Sequence, residues 1–172
     1  MNRITCSLIA SLALLPACGN EKAPSSTPAP APAPAPAEAP KPPAEVDVDT
    51  AYKTLMAKPE DSAEDIEIQH VLIAFKGAPR MTRVTRSKEE AKVLAQKVFN
   101  EATAAGSDFD ALVKQYTDDS APGKYPLTKA GRKGFVQSFG DVGWRLKVGE
   151  VGIAVWDASA SPFGWHIIKR LK

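Results

Sequence analysis

The chain has 172 residues, with 22 lysines and arginines against 20 aspartates and glutamates. Nine of its 15 prolines crowd between positions 24 and 43, so the average composition describes neither part of it. Setting the first 44 residues aside leaves 128, enough for one domain with a single core and too few for two. Both cysteines, Cys6 and Cys18, precede that stretch, which excludes from it an internal disulfide, a cysteine-ligated zinc and a thiol nucleophile.

At the start, Arg3 is the only charge ahead of an apolar run from Ile4 to Leu15. The run is too short to span a bilayer and has the form of the central region of a secretion signal, so residues 1–17 are expected to be a signal peptide. It closes in Leu15-Pro16-Ala17-Cys18-Gly19, which resembles a bacterial lipobox, in which cleavage before the cysteine leaves a residue that carries lipid. The alternative is a plain secretion signal with a free Cys18 thiol. By the resemblance, Gly19 in place of an aspartate sorts the chain to the outer membrane of the cell envelope, facing the periplasm. Residues 18–45 then read as the lipid-anchored Cys18 and a Pro/Ala-rich linker, a composition that cannot bury a core and favours an extended polyproline conformation. Such a spacer reaches ~3.1 Å per residue, or roughly 70 Å from residue 24 to residue 45.

Residues 46–65 form an acidic lead-in, in which Thr50, Tyr52, Leu55 and Met56 fit a short helix ended before Pro59. Positions 45–67 hold eight acids and two bases, whereas 68–172 hold 17 bases and 10 acids, a balance of +7. Those bases are scattered and not interleaved with an aromatic stacking platform, so no nucleic-acid partner is expected.

From Ile66 to Phe75 the chain alternates apolar and polar residues and then becomes apolar on both faces, as a strand does on entering a core. His70 shares a face with Ile66, Ile68 and Leu72. Ser87 followed by Glu90 is a capping box, and Ala91, Leu94, Ala95, Val98 and Ala102 fall at helical spacing until Gly106. Ser107 or Asp108 then caps a shorter helix with an apolar stripe of Phe109, Leu112, Val113 and Tyr116. Asp118 to Gly123 closes it in a turn. Phe135, Phe139 and Leu146 suggest a third short helix, weakened by Gly140 and Gly143, and Val151 to Trp156 reads as a strand. A last strand runs from Phe163 to Lys169, with His166 on one face and Trp165 and Ile167 on the other. This order predicts an α+β fold with an antiparallel-leaning sheet.

Five segments in order carry a resemblance: Ile68-Gln69-His70-Val71-Leu72-Ile73; Thr85 to Ala91; Asp108-Phe109 through Tyr116-Thr117-Asp118-Asp119-Ser120; Gly149-Glu150-Val151; and Phe163-Gly164-Trp165-His166-Ile167-Ile168. Together they are similar to the parvulin family of peptidyl-prolyl isomerases over residues 66–172. The resemblance implies a four-stranded, mostly antiparallel sheet surrounded by about three to four helices, with a concave site above it. It places His70 and His166 as the paired histidines, Asp119 at the position the family gives to Asp or Cys, Phe135 and Phe139 as walls of the prolyl pocket and Leu127 as its apolar floor. Ser161 or Asp157 matches a hydroxyl beside the histidines. It implies a monomeric isomerase that assists the folding of exported proteins, acts on unfolded or flexible Xaa-Pro polypeptides, uses no cofactor or metal, and meets the membrane through its anchor only. The histidines then serve as a hydrogen-bonded scaffold more than as proton carriers.

Read from the residues alone, two histidines in apolar strands are core groups, a phenylalanine pair four apart is helix core, and Asp118-Asp119 is a turn. A metal site from His70, His166 and Asp119 has no regular ligand spacing behind it. The stretch Gly123 to Gly131 departs from the family pattern, with shifted glycines and Ala130 where an aromatic is usual, which bears on one pocket wall. Lys76, Arg80, Arg83 and Arg86 follow the first strand where some parvulins carry a basic loop. They either favour an acidic residue before the proline or keep an exposed loop solvated. A rival function is a peptide-binding chaperone module with little catalysis.

Overall fold

A computed structural model describes residues 46–172. The expected signal peptide, Cys18 and the proline-rich linker lie outside the described residues. Helix α1 spans Val48–Met56, β1 Asp65–Ala74, α2 Lys88–Thr103, α3 Phe109–Tyr116, β2 Lys124–Thr128, α4 Gln137–Gly143, β3 Val151–Ala154 and β4 Gly164–Arg170. The four strands form one sheet in the order β2-β1-β4-β3, with every neighbouring pair antiparallel. The expected α+β architecture is therefore observed.

Alternation along the two central strands builds a core on each face of the sheet. Val71, Ile73, Trp165 and Ile167 pack with Ala91, Ala95 and Val98 of α2 and with Phe109, Leu112 and Val113 of α3. On the other face, Ile66, Ile68 and Ile168 pack with Phe139 and Val142 of α4 and with Trp144. Each fully buried aliphatic side chain contributes roughly 1.5–3 kcal/mol, so this double-sided burial is what orders β1 and β4. Helix α1 joins both cores, sending Val48 into the first and Leu55 into the second. Leu55 lies over Gly152 of β3, where a Cβ would stand 2.7 Å from Leu55 Cδ2 and 2.9 Å from Leu146 Cδ2.

The helix starts follow from their caps. Ser87 and Glu90 form the reciprocal capping box of α2, and Asp108 rather than Ser107 caps α3 by accepting from the Ala111 N–H at 3.1 Å. Within α2, Phe99 is buried while Leu94 is only half-buried. A turn of 3-10 helix at Arg132–Gly134 leads into α4, whose glycines are packing features: a Cβ on Gly143 would meet Ile66 Cδ1 at 3.1 Å.

The 124–128 stretch, which the sequence pattern does not mark as a strand, is the edge strand β2. Its backbone alternates around β1, with His70 N–H donating to the Gly123 carbonyl and Lys129 N–H to the Glu64 carbonyl, each at 2.9 Å. That register puts Pro126 opposite Glu67 in a non-hydrogen-bonded pair, so its missing N–H faces away from β1, where a strand tolerates proline.

Candidate active site

The register between β1 and β4 sets Leu72 opposite His166 and His70 opposite Ile168, so the two histidines are diagonal neighbours on one face. Gly164 makes this alignment reachable. At φ +146° it opens β4 with its α-carbon so close to β1 that a Cβ would stand 2.2 Å from the Ile73 carbonyl oxygen. The rings of His70 and His166 lie nearly parallel, 5.3 Å between centroids, with their Nδ1 atoms 3.1 Å apart. Each histidine is 3% exposed.

Asp119 arrives from the turn after α3, and its Oδ2 lies 3.1 Å from His70 Nε2. The hydrogen bond from His70 is the main cause holding the Asp119 carboxyl well below the usual carboxylate range. Burial opposes it, while the Ser120 N–H and the Tyr125 hydroxyl add to it. Asp119 is thus an acceptor and His70 Nε2 carries the proton between them. In the neutral pair, His70 Nδ1 then accepts from His166 Nδ1–H, and His166 Nε2 is left bare. Among the described residues, that nitrogen is the buried side-chain polar atom without a hydrogen-bond partner. Burial, helped by repulsion from His70 and opposed by Asp119, pushes the His166 imidazole far below its ordinary value, so it stays neutral.

Above these groups lies a hollow of about 310 Å³, lined by His70, Leu72, Asp119, Tyr125, Phe135, Phe139, Phe163 and His166, with Arg80 and Met81 at one side. Helix α4 and the turn before it place Phe135 and Phe139 as a near-parallel pair, 6.1 Å between centroids. Phe139, 4% exposed, meets His70 edge-on at 4.9 Å and His166 at 5.5 Å. Aromatic carbon forms the walls, and one carboxylate with two imidazoles supplies polarity on one side.

Of the predicted site residues, His70, His166, Asp119, Phe135, Phe139 and Arg80 come together. Leu127 does not line the hollow: it is 1% exposed, pairs with Ile66 and belongs to the core beneath α4. Tyr125, one pleat nearer on the same face of β2, takes the wall position instead, a correction that follows from the 124–128 stretch being a strand. Ser161 is also corrected. Its buried hydroxyl donates to the Gly164 carbonyl at 3.0 Å and to neither imidazole, and so closes the turn into β4. Asp157 caps that turn through Ser159 and Ala160 N–H groups.

The basic loop divides. Arg80, in the left-handed region at φ 63°, borders both the hollow and an adjoining basin lined by Arg83, Thr82, Thr85 and Arg86. Arg83 lines that basin only. Arg86 is tied down: it bonds the Ala74 carbonyl at 3.0 Å and pairs with Asp118, whose Oδ2 also accepts the Ala74 N–H at 2.8 Å. Lys76 lines neither concavity.

A family profile described as a PPIC-type PPIASE domain matches residues 52–172. The dodo protein of Drosophila melanogaster, named as a peptidyl-prolyl cis-trans isomerase, is 32% identical over 117 residues, covering 64% of this chain and 68% of that one. The chaperone SurA of Pseudomonas fluorescens is 30% identical over 110 residues, 63% of this chain but 23% of SurA. The foldase protein PrsA of a Geobacillus species is 41% identical over 66 residues, 37% of this chain and 22% of PrsA. The chain therefore spans about a quarter of those two relatives. Among solved structures, the solution structure of TbPIN1 superposes with a TM-score of 0.53 at 22% identity, covering 64% of this chain and 99% of that one. The peptidyl-prolyl isomerase ESS1 from Candida albicans gives 0.54 at 19% identity, with 73% of each chain covered. These two likenesses show the fold.

Proposed function

Since the chain belongs to the PPIC-type, or parvulin, family of peptidyl-prolyl cis-trans isomerases, we propose that its hollow holds a prolyl ring against Phe135, Phe139 and Tyr125 while Asp119 and the histidine pair face the amide. The enzyme acts on polypeptides that contain proline, and the reaction is rotation about the bond preceding it. Planar amides resist rotation with a barrier of ~18–20 kcal/mol because twisting breaks resonance, and the twisted state is less dipolar than the planar one. Transfer from water into an aromatic hollow therefore favours the twisted state relative to the planar one. Charge at Asp119, fixed before substrate arrives, adds stabilisation that differs between the two states, and only such a difference lowers a barrier.

The observation carrying this assignment is the convergence on one opening of two stacked phenylalanines, a carboxylate and a buried imidazole pair, contributed by β1, β4, α4 with the turn before it, and the turn after α3. Exchange NMR on a short Xaa-Pro peptide tests it. Asp119→Asn should slow catalysed exchange by ~10- to 100-fold while the fold is kept. Unchanged exchange would sink the assignment.

The wider setting is part of the same proposal. Residues 1–17 act as a secretion signal, Cys18 carries lipid, and 18–45 tether a monomeric isomerase on the periplasmic side of the outer membrane, where it assists the folding of exported proteins. Support comes from the lipobox-like Leu15-Pro16-Ala17-Cys18-Gly19 and from likeness to a chaperone and a foldase. Mass spectrometry of the mature amino terminus tests it, since an unlipidated Cys18 removes the tether. Arg80 at the edge of the hollow supports a mild preference for an acidic residue before proline.

A further inference from the structure

Tyr125 sits on the edge strand β2 opposite Ile68, with its ring turned toward the hollow. The ring meets His70 edge-on at 5.3 Å and Phe139 at 5.8 Å, and its hydroxyl donates to Asp119 Oδ2 at 3.0 Å. That same oxygen lies 3.1 Å from His70 Nε2. A wall needs only carbon, and an apolar side chain would supply it without bringing a polar atom that must be satisfied. The phenol is explained by the carboxylate. Asp119 comes from a turn and its side chain is 32% exposed, so without the phenol it would be held to the sheet by His70 alone, its other donor, the Ser120 N–H, belonging to the same turn. Two donors arriving on one oxygen from two different strands fix its plane and leave Oδ1 with neither bond.

We propose that Tyr125 is a positioning residue of the isomerase, whose hydroxyl locks the Asp119 carboxylate with one oxygen tied to the sheet and the other presented to the bound Xaa-Pro amide. The inference rests on the assignment of the hollow as the active site. The groups bonded to the Asp119 carboxylate are His70 from β1, Tyr125 from β2 and the adjacent Ser120 N–H; His166 and Arg80 line the same hollow, while Arg86 is engaged by the neighbouring Asp118. Removing the phenol therefore takes away one of the few donors that hold the charged carboxylate in place.

The test is exchange NMR on a short Ala-Xaa-Pro peptide with Tyr125→Phe, which keeps the ring and deletes the hydroxyl. KM should stay within about twofold while kcat falls ~3- to 10-fold, the size expected for one charge-assisted hydrogen bond at a partly open site. Tyr125→Leu should raise KM as well, because the wall then shrinks. A double-mutant cycle makes the result independent of any general loosening: in an Asp119→Asn background, Tyr125→Phe should have little further effect. Wild-type kcat in Tyr125→Phe, or an equal loss in the Asp119→Asn background, overturns the positioning role. Full activity in Asp119→Asn alone overturns the assignment of the hollow and this inference with it.

Discussion

His166 makes a quantitative demand on stability. Burial is the main cause that keeps its imidazole down to about 3 in the folded chain, against an ordinary value of 6.5. Well above pH 6.5 the ring is neutral in both states and contributes no pH dependence. As pH falls below 6.5, the unfolded chain takes up a proton that the folded chain refuses, so stability is lost on acidification at up to ~1.4 kcal/mol per pH unit. Integrated from pH 7 to pH 5, one such group removes about 2 kcal/mol. Asp119 cannot produce this slope. Its lowered carboxyl stabilises the fold above the ordinary aspartate range, and that contribution disappears only as pH falls below it. Urea unfolding followed by fluorescence of the buried Trp144 and Trp165 at pH 7, 6 and 5 measures the loss. His166→Gln, which cannot titrate, serves as the reference and cancels contributions from exposed carboxylates. Equal slopes in the two proteins, or a stability that rises toward pH 5, would falsify the claim that this imidazole is kept neutral by its surroundings.

Phe139→Ala removes a ring 4% exposed and should cost about 3 kcal/mol in urea unfolding, with KM for an Xaa-Pro peptide raised in the molecules that remain folded. A stability loss without any change in KM would mean that the ring serves the core alone. Arg80→Gln should flatten a Glu-Pro over Lys-Pro rate preference of roughly 2- to 5-fold at low salt, while Arg83→Gln changes it less. The reverse ranking would move the acidic contact into the adjoining basin. Gly152→Ala should destabilise by about 1–3 kcal/mol, because the new methyl meets Leu55 and Leu146. An unaltered melting curve would show that α1 is not pressed against β3.

Much of this fold was legible because its signals are local. The Ser87–Glu90 box and the alternation through Ile66, Ile68 and His70 each encode one element within a few residues. The edge strand was not, since Lys124-Tyr125-Pro126-Leu127-Thr128 contains a proline and buries only Leu127. Its proline is harmless only because it points outward, a fact that depends on pairing with β1 and not on the segment itself. Losing that strand also displaced the pocket wall: without a register, Leu127 and Tyr125 could not be ordered along one face. Arg86 was misread for a related reason. As one of four neighbouring bases it resembles a free charge, and its partner Asp118 lies 32 positions away. The histidine pair and the phenylalanines came from family likeness, since apolar strands and helix spacing alone make them core residues.

Pro126 also decides what the outer edge of the sheet can accept. Of the three positions on the outermost strand whose backbone turns toward solvent, 124, 126 and 128, the middle one has no amide hydrogen to offer. A passing extended polypeptide cannot be stitched onto the sheet there as a fifth strand, because the ladder breaks at its centre. Pairing along that edge is thereby disfavoured, and the aromatic cup beside it stays the place where a chain can enter.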